Sequence, residues 1–215
     1  MELKGKKINF LGDSLTAGYG IANPDDVYHQ VMKREYGLAE ARAYGISGAR
    51  YTYQLWDPDP SVRIDFCHRA TEMDKDADII VVLGGTNDFG YGNIPVGAYG
   101  NDKPDTFYGA CQTLYTYLSE TYPDATIVIC TPPHSIDELN PDRTVYQHGN
   151  LDVFVKVIRE MAERFSFPVV DLYATLGFQP FIPSIREKYM PDGIHPNELG
   201  AIRMARRIGN FLLSL

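Results

Sequence analysis

At 215 residues, with 20 Lys and Arg against 28 Asp and Glu, the chain carries a net charge of −8, and a prior of about 150 residues per domain makes residues 1–215 one expected domain. The acidic balance excludes a sequence-independent nucleic-acid binder, which needs a cationic surface to displace counterions, and a polybasic membrane anchor. With 44% hydrophobic and 22% charged residues, the composition is that of a globular protein and not of a disordered one.

Glu2, Lys4, Lys6 and Lys7 precede a strand-like run, Ile8 to Leu11, that is too short for a signal-peptide core. The longest apolar run, Ile79 to Leu83, falls far short of the roughly 20 residues that span a bilayer. The expectation is a soluble, cytoplasmic chain without a membrane or nucleic-acid partner. Lys7–Leu11 reads as the first strand. Asn23-Pro24-Asp25-Asp26 offers an N-cap, a proline at the first helical position and acidic residues in the first turn, predicting a helix from Pro24 to about Tyr36. A weaker strand follows at Ala39–Tyr44, and a β-branched one at Asp78–Leu83. Phe107, Ala110, Cys111, Leu114, Tyr117 and Leu118 repeat at helical spacing within Thr106 to Thr121. After a strand at Ala125–Cys130, Leu151, Phe154, Val155, Ile158, Met161, Ala162 and Phe165 do the same. Pro168–Leu172 is the last strand, and a helix from about Pro196 to Leu213 should turn Leu199, Ile202, Ala205, Ile208 and Leu212 inward. Cys67, Cys111 and Cys130 form no C-x-x-C pair, so they read as small hydrophobes and not as a disulfide framework or zinc site.

Strands alternating with helices imply an α/β fold, a three-layer α/β/α sandwich on about five parallel strands joined by right-handed crossovers. In such a sheet, ligands bind beyond the carboxyl ends of the strands. The residues just past each strand are Gly12-Asp13-Ser14-Leu15-Thr16, Gly45-Ile46-Ser47-Gly48, Gly84-Gly85-Thr86-Asn87-Asp88, Thr131-Pro132-Pro133-His134 and, after a long loop, Asp192-Gly193-Ile194-His195-Pro196. A hydroxyl, an imidazole, a carboxylate, an amide and several glycine N–H groups therefore converge on one rim, which are the parts of a nucleophilic acyl-transfer site.

In order along the chain, Gly12-Asp13-Ser14-Leu15, Gly48, Gly85-Thr86-Asn87-Asp88 and Asp192-x-x-His195 resemble the four sequence blocks of the GDSL/SGNH hydrolases. One departure is Ala43, where the second block often carries Asn two residues before its first glycine. The resemblance implies a flavodoxin-like SGNH hydrolase fold and an esterase or acylhydrolase (lipase-type) activity on a small-molecule ester, without metal or cofactor.

The chemistry assigns roles. Ser14 would be the nucleophile, His195 the general base that later returns the proton to the leaving alcohol, and Asp192 the group that orients His195 in a catalytic triad. The Ser14 and Gly48 N–H groups and the Asn87 amide would form the oxyanion hole. Trp56, Tyr91 and His134 are candidate substrate-binding residues, with Tyr99, Phe178 and Phe181 as further walls. Each residue also has a plainer reading: Ser14 as a helix N-cap, Gly48 as a left-handed turn, Asn87-Asp88 as an Asx turn, Asp192-Gly193 as an ordinary turn. His134 is the rival base, set aside because no Asp stands three residues from it. His29, His68 and His148 read as surface or capping residues, Asp13 and Asp88 as loop ties, and Arg203, Arg206 and Arg207 as a solvated helix face. Neither G-x-S-x-G nor a phosphate-binding glycine motif follows the first strand. The expected substrate is an ester of a short acyl group, such as acetyl on a carbohydrate. The alternatives are a lysophospholipase or thioesterase of longer chains, and a non-catalytic flavodoxin-like binding protein.

Overall fold

The computed structural model describes residues 1–53, 63–91, 94–140 and 149–215. Five parallel strands, β1 (Lys7–Gly12), β2 (Glu40–Gly45), β3 (Ile79–Leu83), β4 (Thr126–Cys130) and β5 (Val169–Val170), form one sheet in the order β2-β1-β3-β4-β5. The central strand β3, Ile-Ile-Val-Val-Leu, is buried on both faces, which explains its unbroken β-branched run. Pairing sets Gly12 beside Gly45 and Leu83, and Leu83 beside Cys130, so these strands end level and their loops leave from one rim. The chain passes from β1 to β2 on one side and returns to β3 on the other, making the β1/β3 crevice the switch point where open α/β sheets bind ligands.

Helices cover both faces. On one, α3 (Phe66–Arg69), α5 (Phe107–Thr121) and α6 (Leu151–Arg164) bury Phe66, Phe107, Leu114 and Phe154 against Leu11, Ile80, Val82 and Ile129. On the other, α2 (Tyr28–Tyr36) and α9 (Glu198–Ser214) bury Val31, Met32, Met204 and Ile208 against Ile8, Phe10, Val81 and Val128. Short helices occupy the rim loops: α1 (Ser14–Ala17), α4 (Thr86–Gly90), α7 (Leu172–Thr175) and α8 (Pro183–Tyr189). Among the described residues, no helix is long and apolar enough to cross a membrane.

Three local expectations need correction. The helix predicted from Pro24 breaks at Val27, whose extended backbone (ψ 141°) separates a 3-10 turn, Pro24–Asp26, from α2. Val27 is buried, with its side chain against Gly18, a contact that overrides continued helical geometry. Leu199 is 52% exposed, and the buried stripe of α9 runs through Ala201, Met204, Ala205, Ile208 and Leu212 instead. His29 is not a surface group: burial pushes its pKa down to about 4, and its Nε2 sits 3.2 Å from the Thr16 carbonyl. His68 does lie at the surface, 3.6 Å from Glu72, and His148 lies outside the described residues. The three cysteines are free; Cys111 and Cys130 are buried, as small hydrophobes should be.

Candidate active site

Ser14 is the first residue of α1, directly beyond β1. The cap of that helix is Asp13, whose Oδ1 accepts from the Leu15 N–H at 3.0 Å, so the Ser14 side chain is not spent on capping. Its Oγ lies 2.9 Å from His195 Nε2. The other ring nitrogen of His195, Nδ1, lies 2.7 Å from Asp192 Oδ2, and Asp192 Oδ1 accepts from the backbone N–H groups of Ile194 (2.9 Å) and His195 (2.7 Å). Burial works against a charge on Asp192, but these bonds from His195 and Ile194 outweigh it and hold the carboxyl below its ordinary range. An ionised carboxylate only accepts, so the imidazole proton rests on Nδ1 and Nε2 faces Ser14 as the acceptor. The turn at Asp192-Gly193 and the carboxylate relay are thus one structure serving both readings.

The opposite side of Ser14 is built by the loops after β2 and β3. Gly45 lets α1 pack onto the end of β2, because a Cβ there would lie 2.4 Å from the Ala17 nitrogen. Gly48 has φ +84°, a left-handed conformation that a side chain disfavours. The Asn87 amide donates to the Ala49 carbonyl at 2.8 Å, tying that loop to α4, and among the described residues its second N–H has no acceptor. Asp88 ties the same loop lower down, accepting from the N–H groups of Tyr51 (3.0 Å) and Thr52 (3.1 Å) and from the Thr52 hydroxyl (2.9 Å). Among the described residues, neither the Ser14 nor the Gly48 N–H has an intramolecular acceptor. Asp13 and Asp88 are both buried; burial raises Asp13 to about 7, with the Asp88 charge adding to it, and burial raises Asp88 to about 6 against its hydrogen bonds. Among the described residues, the Oδ2 atom of Asp13 has no hydrogen-bond partner.

Of the expected binding residues, Tyr91 stands at this rim, with its hydroxyl 3.6 Å from where a Cβ on Gly48 would sit and Arg50 over its ring. Trp56 lies outside the described residues. His134 makes no bond to Ser14; its Nδ1 is 2.9 Å from Glu138 Oε1, a carboxylate four residues along and not three. Phe181 lies edge-on to His134 at 5.3 Å, while Phe178 is buried and stacked on Tyr189. Tyr99 is not a wall of the site: it packs on Arg164 at the end of α6, toward the amino ends of the strands. One neighbour escaped the sequence reading altogether. The Tyr19 ring lies 4.4 Å from the His195 ring, a contact between chain ends for which no local spacing gives a signal.

The sequence pattern of the GDSL-like lipase/acylhydrolase family matches residues 10–201, which include every group in this arrangement. The chain belongs to that family. It is 26% identical over 220 residues to an acetylxylan esterase of Xylanibacter ruminicola, covering 94% of this chain and 42% of that protein, so it spans less than half the relative's length. A crystal structure of a protein from Lactobacillus plantarum superposes with a TM-score of 0.85 at 28% identity, covering 98% of each chain. The lipase/acylhydrolase of Enterococcus faecalis shares the fold at a TM-score of 0.67 and 23% identity, covering 97% of this chain and 96% of that one. The three-layer α/β/α sandwich expected from the sequence is therefore also the fold of the family's solved members.

Proposed function

We propose that this family member is a serine esterase that cleaves a carboxylic ester through an acyl-enzyme on Ser14. In the first half-reaction, Ser14 Oγ attacks the carbonyl carbon while His195 Nε2 takes the hydroxyl proton. Asp192 stabilises the imidazolium that forms and keeps the ring aligned. The carbonyl oxygen, now an anion, receives hydrogen bonds from the Ser14 and Gly48 N–H groups and from the second N–H of Asn87, each such donor contributing about 2.7–4 kcal/mol to the transition state. Collapse of the intermediate expels the alcohol, which leaves with the proton from His195. A water then attacks acyl-Ser14 with His195 again as base, releasing the acid and restoring the hydroxyl.

The observation that carries this reading is the unbroken line Ser14–His195–Asp192, at 2.9 and 2.7 Å, at the switch point of the sheet. A short acyl group on a carbohydrate, acetyl above all, is the proposed substrate, and the similarity to an acetylxylan esterase supports it. Labelling with a fluorophosphonate tests the nucleophile: wild type should label and Ser14→Ala should not, and equal labelling of both would refute the role of Ser14. Across p-nitrophenyl esters from acetyl to palmitoyl, activity should fall with chain length, and a maximum at long chains would refute the acetyl preference.

A further inference from the structure

Beside the catalytic loop lies a second polar device that the ester chemistry leaves unused. His134 follows β4, and the carboxylate of Glu138, whose side chain is only 5% exposed, is held by three donors: the Ser135 N–H (2.9 Å), the Tyr173 hydroxyl (2.9 Å) and His134 Nδ1 (2.9 Å). His134 therefore spends its Nδ1 proton on Glu138 and keeps Nε2 as an acceptor. The Tyr173 ring lies 3.8 Å from the imidazole, so this contact and the Nδ1 bond together hold the ring in place. His134 and Tyr173 line a cavity of about 380 Å³ with Phe178, Gln179, Ile182 and Ile185, within the range of about 300–1,000 Å³ for small-ligand sites. Aromatic and aliphatic walls, one oriented imidazole and one amide suit a neutral, hydroxyl-rich ring: its C–H faces pack on the aromatics and its hydroxyls meet Nε2 and Gln179. Among the described lining residues, none is an Arg, Lys, Asp or Glu.

The position of the cavity links it to the reaction. The Ile136 N–H, two residues beyond His134, donates to the Gly193 carbonyl at 2.8 Å, and the Gly193 N–H donates to the Met190 carbonyl at 2.7 Å. Helix α8, which supplies Ile185, leads directly into the loop that carries Asp192 and His195. His195 hands its proton to the departing alcohol, so the alcohol portion of the ester lies on the His195 side of Ser14, and the loop that carries His195 is the one to which the segment after His134 is bonded through Gly193.

We propose that the His134 cavity is a saccharide subsite, binding a pyranose unit of the carbohydrate that bears the ester, and so sets the preference for oligosaccharide over small alcohol. The proposal rests on the ester-hydrolase reading for its role in turnover but not for binding, and the test separates the two. Two variants probe the cavity: His134→Ala removes the oriented acceptor, and Ala174→Phe, at an exposed residue of the same lining, fills the space while keeping every hydrogen bond. On acetylated xylotetraose, both should raise KM about fivefold to tenfold, as losing one ring or hydrogen-bond contact does, and on p-nitrophenyl acetate Ala174→Phe should stay within about twofold of wild type. Unacetylated xylotetraose should bind wild type, read by chemical-shift perturbation, and lose that binding in Ala174→Phe. Parallel changes on both esters in Ala174→Phe, no change on either, or a shift in acyl-length preference, which would mark an acyl pocket, each overturns the proposal. Should wild type fail to label with fluorophosphonate, the esterase reading falls; the xylotetraose binding experiment then still decides the subsite, and absence of binding refutes it.

Discussion

Replacing Asn87 by Ala separates two jobs that its amide performs. One N–H donates to the Ala49 carbonyl at 2.8 Å and holds the loop bearing Gly48. Losing that bond should lower stability by about 1 kcal/mol, or about 2–4 °C in Tm for a chain of this size. The other N–H is assigned to the oxyanion, and its loss should cost about 2.7–4 kcal/mol, a fall in kcat of about 10²–10³. KM should change little, because the anion exists only in the transition state. The comparison variant is Thr52→Val, which removes the hydroxyl bond to Asp88 from the same loop. It should lower Tm by a similar amount and keep kcat within about threefold of wild type, since it loosens the loop without deleting a donor. Steady-state hydrolysis of p-nitrophenyl acetate and thermal denaturation of both variants supply the readouts. If Asn87→Ala lowered Tm but left kcat within about threefold, Asn87 would be a loop anchor only, and the oxyanion assignment would fail.

Two further variants test the relay and its surroundings. Asp192→Asn can no longer accept the Nδ1 proton as a carboxylate, and kcat/KM should drop by about 10⁴ with labelling of Ser14 greatly slowed; a loss below about tenfold would remove Asp192 from the relay. Asp13 binds a proton more tightly in the folded chain, at about 7, than its ordinary 3.8, so its contribution favours the folded state at low pH and is lost as pH rises toward 7. At about 1.36 kcal/mol per pH unit, wild type should lose roughly 2–3 kcal/mol between pH 5 and 8 from this group alone. Asp13→Asn keeps an acceptor for the Leu15 N–H and should flatten that slope in urea titrations at the two pH values; an unchanged slope would show that Asp13 is charged in both states.

The β-branched run of β3 and the stripes of α5 and α6 are local periodicities, and local periodicity is what decides which segment becomes strand or helix. The four motif blocks were legible for a related reason: parallel strands leave their loops on one rim, so polar residues just past each strand had to meet. Contacts between distant segments were not legible. Leu199 matches a helical stripe, but the buried face of α9 is set by α2 and the sheet that it packs against. The break at Val27 follows from the need to bury that side chain against Gly18. Tyr19 meets His195, and Glu138 orders His134 together with Tyr173, only because the fold closes around the rim. Spacing along the chain thus determined the elements, their class and the chemical inventory of the site. Distances between atoms far apart in sequence, including the 2.9 Å from Ser14 to His195, depend on how the layers pack, and packing is a property of all the elements at once.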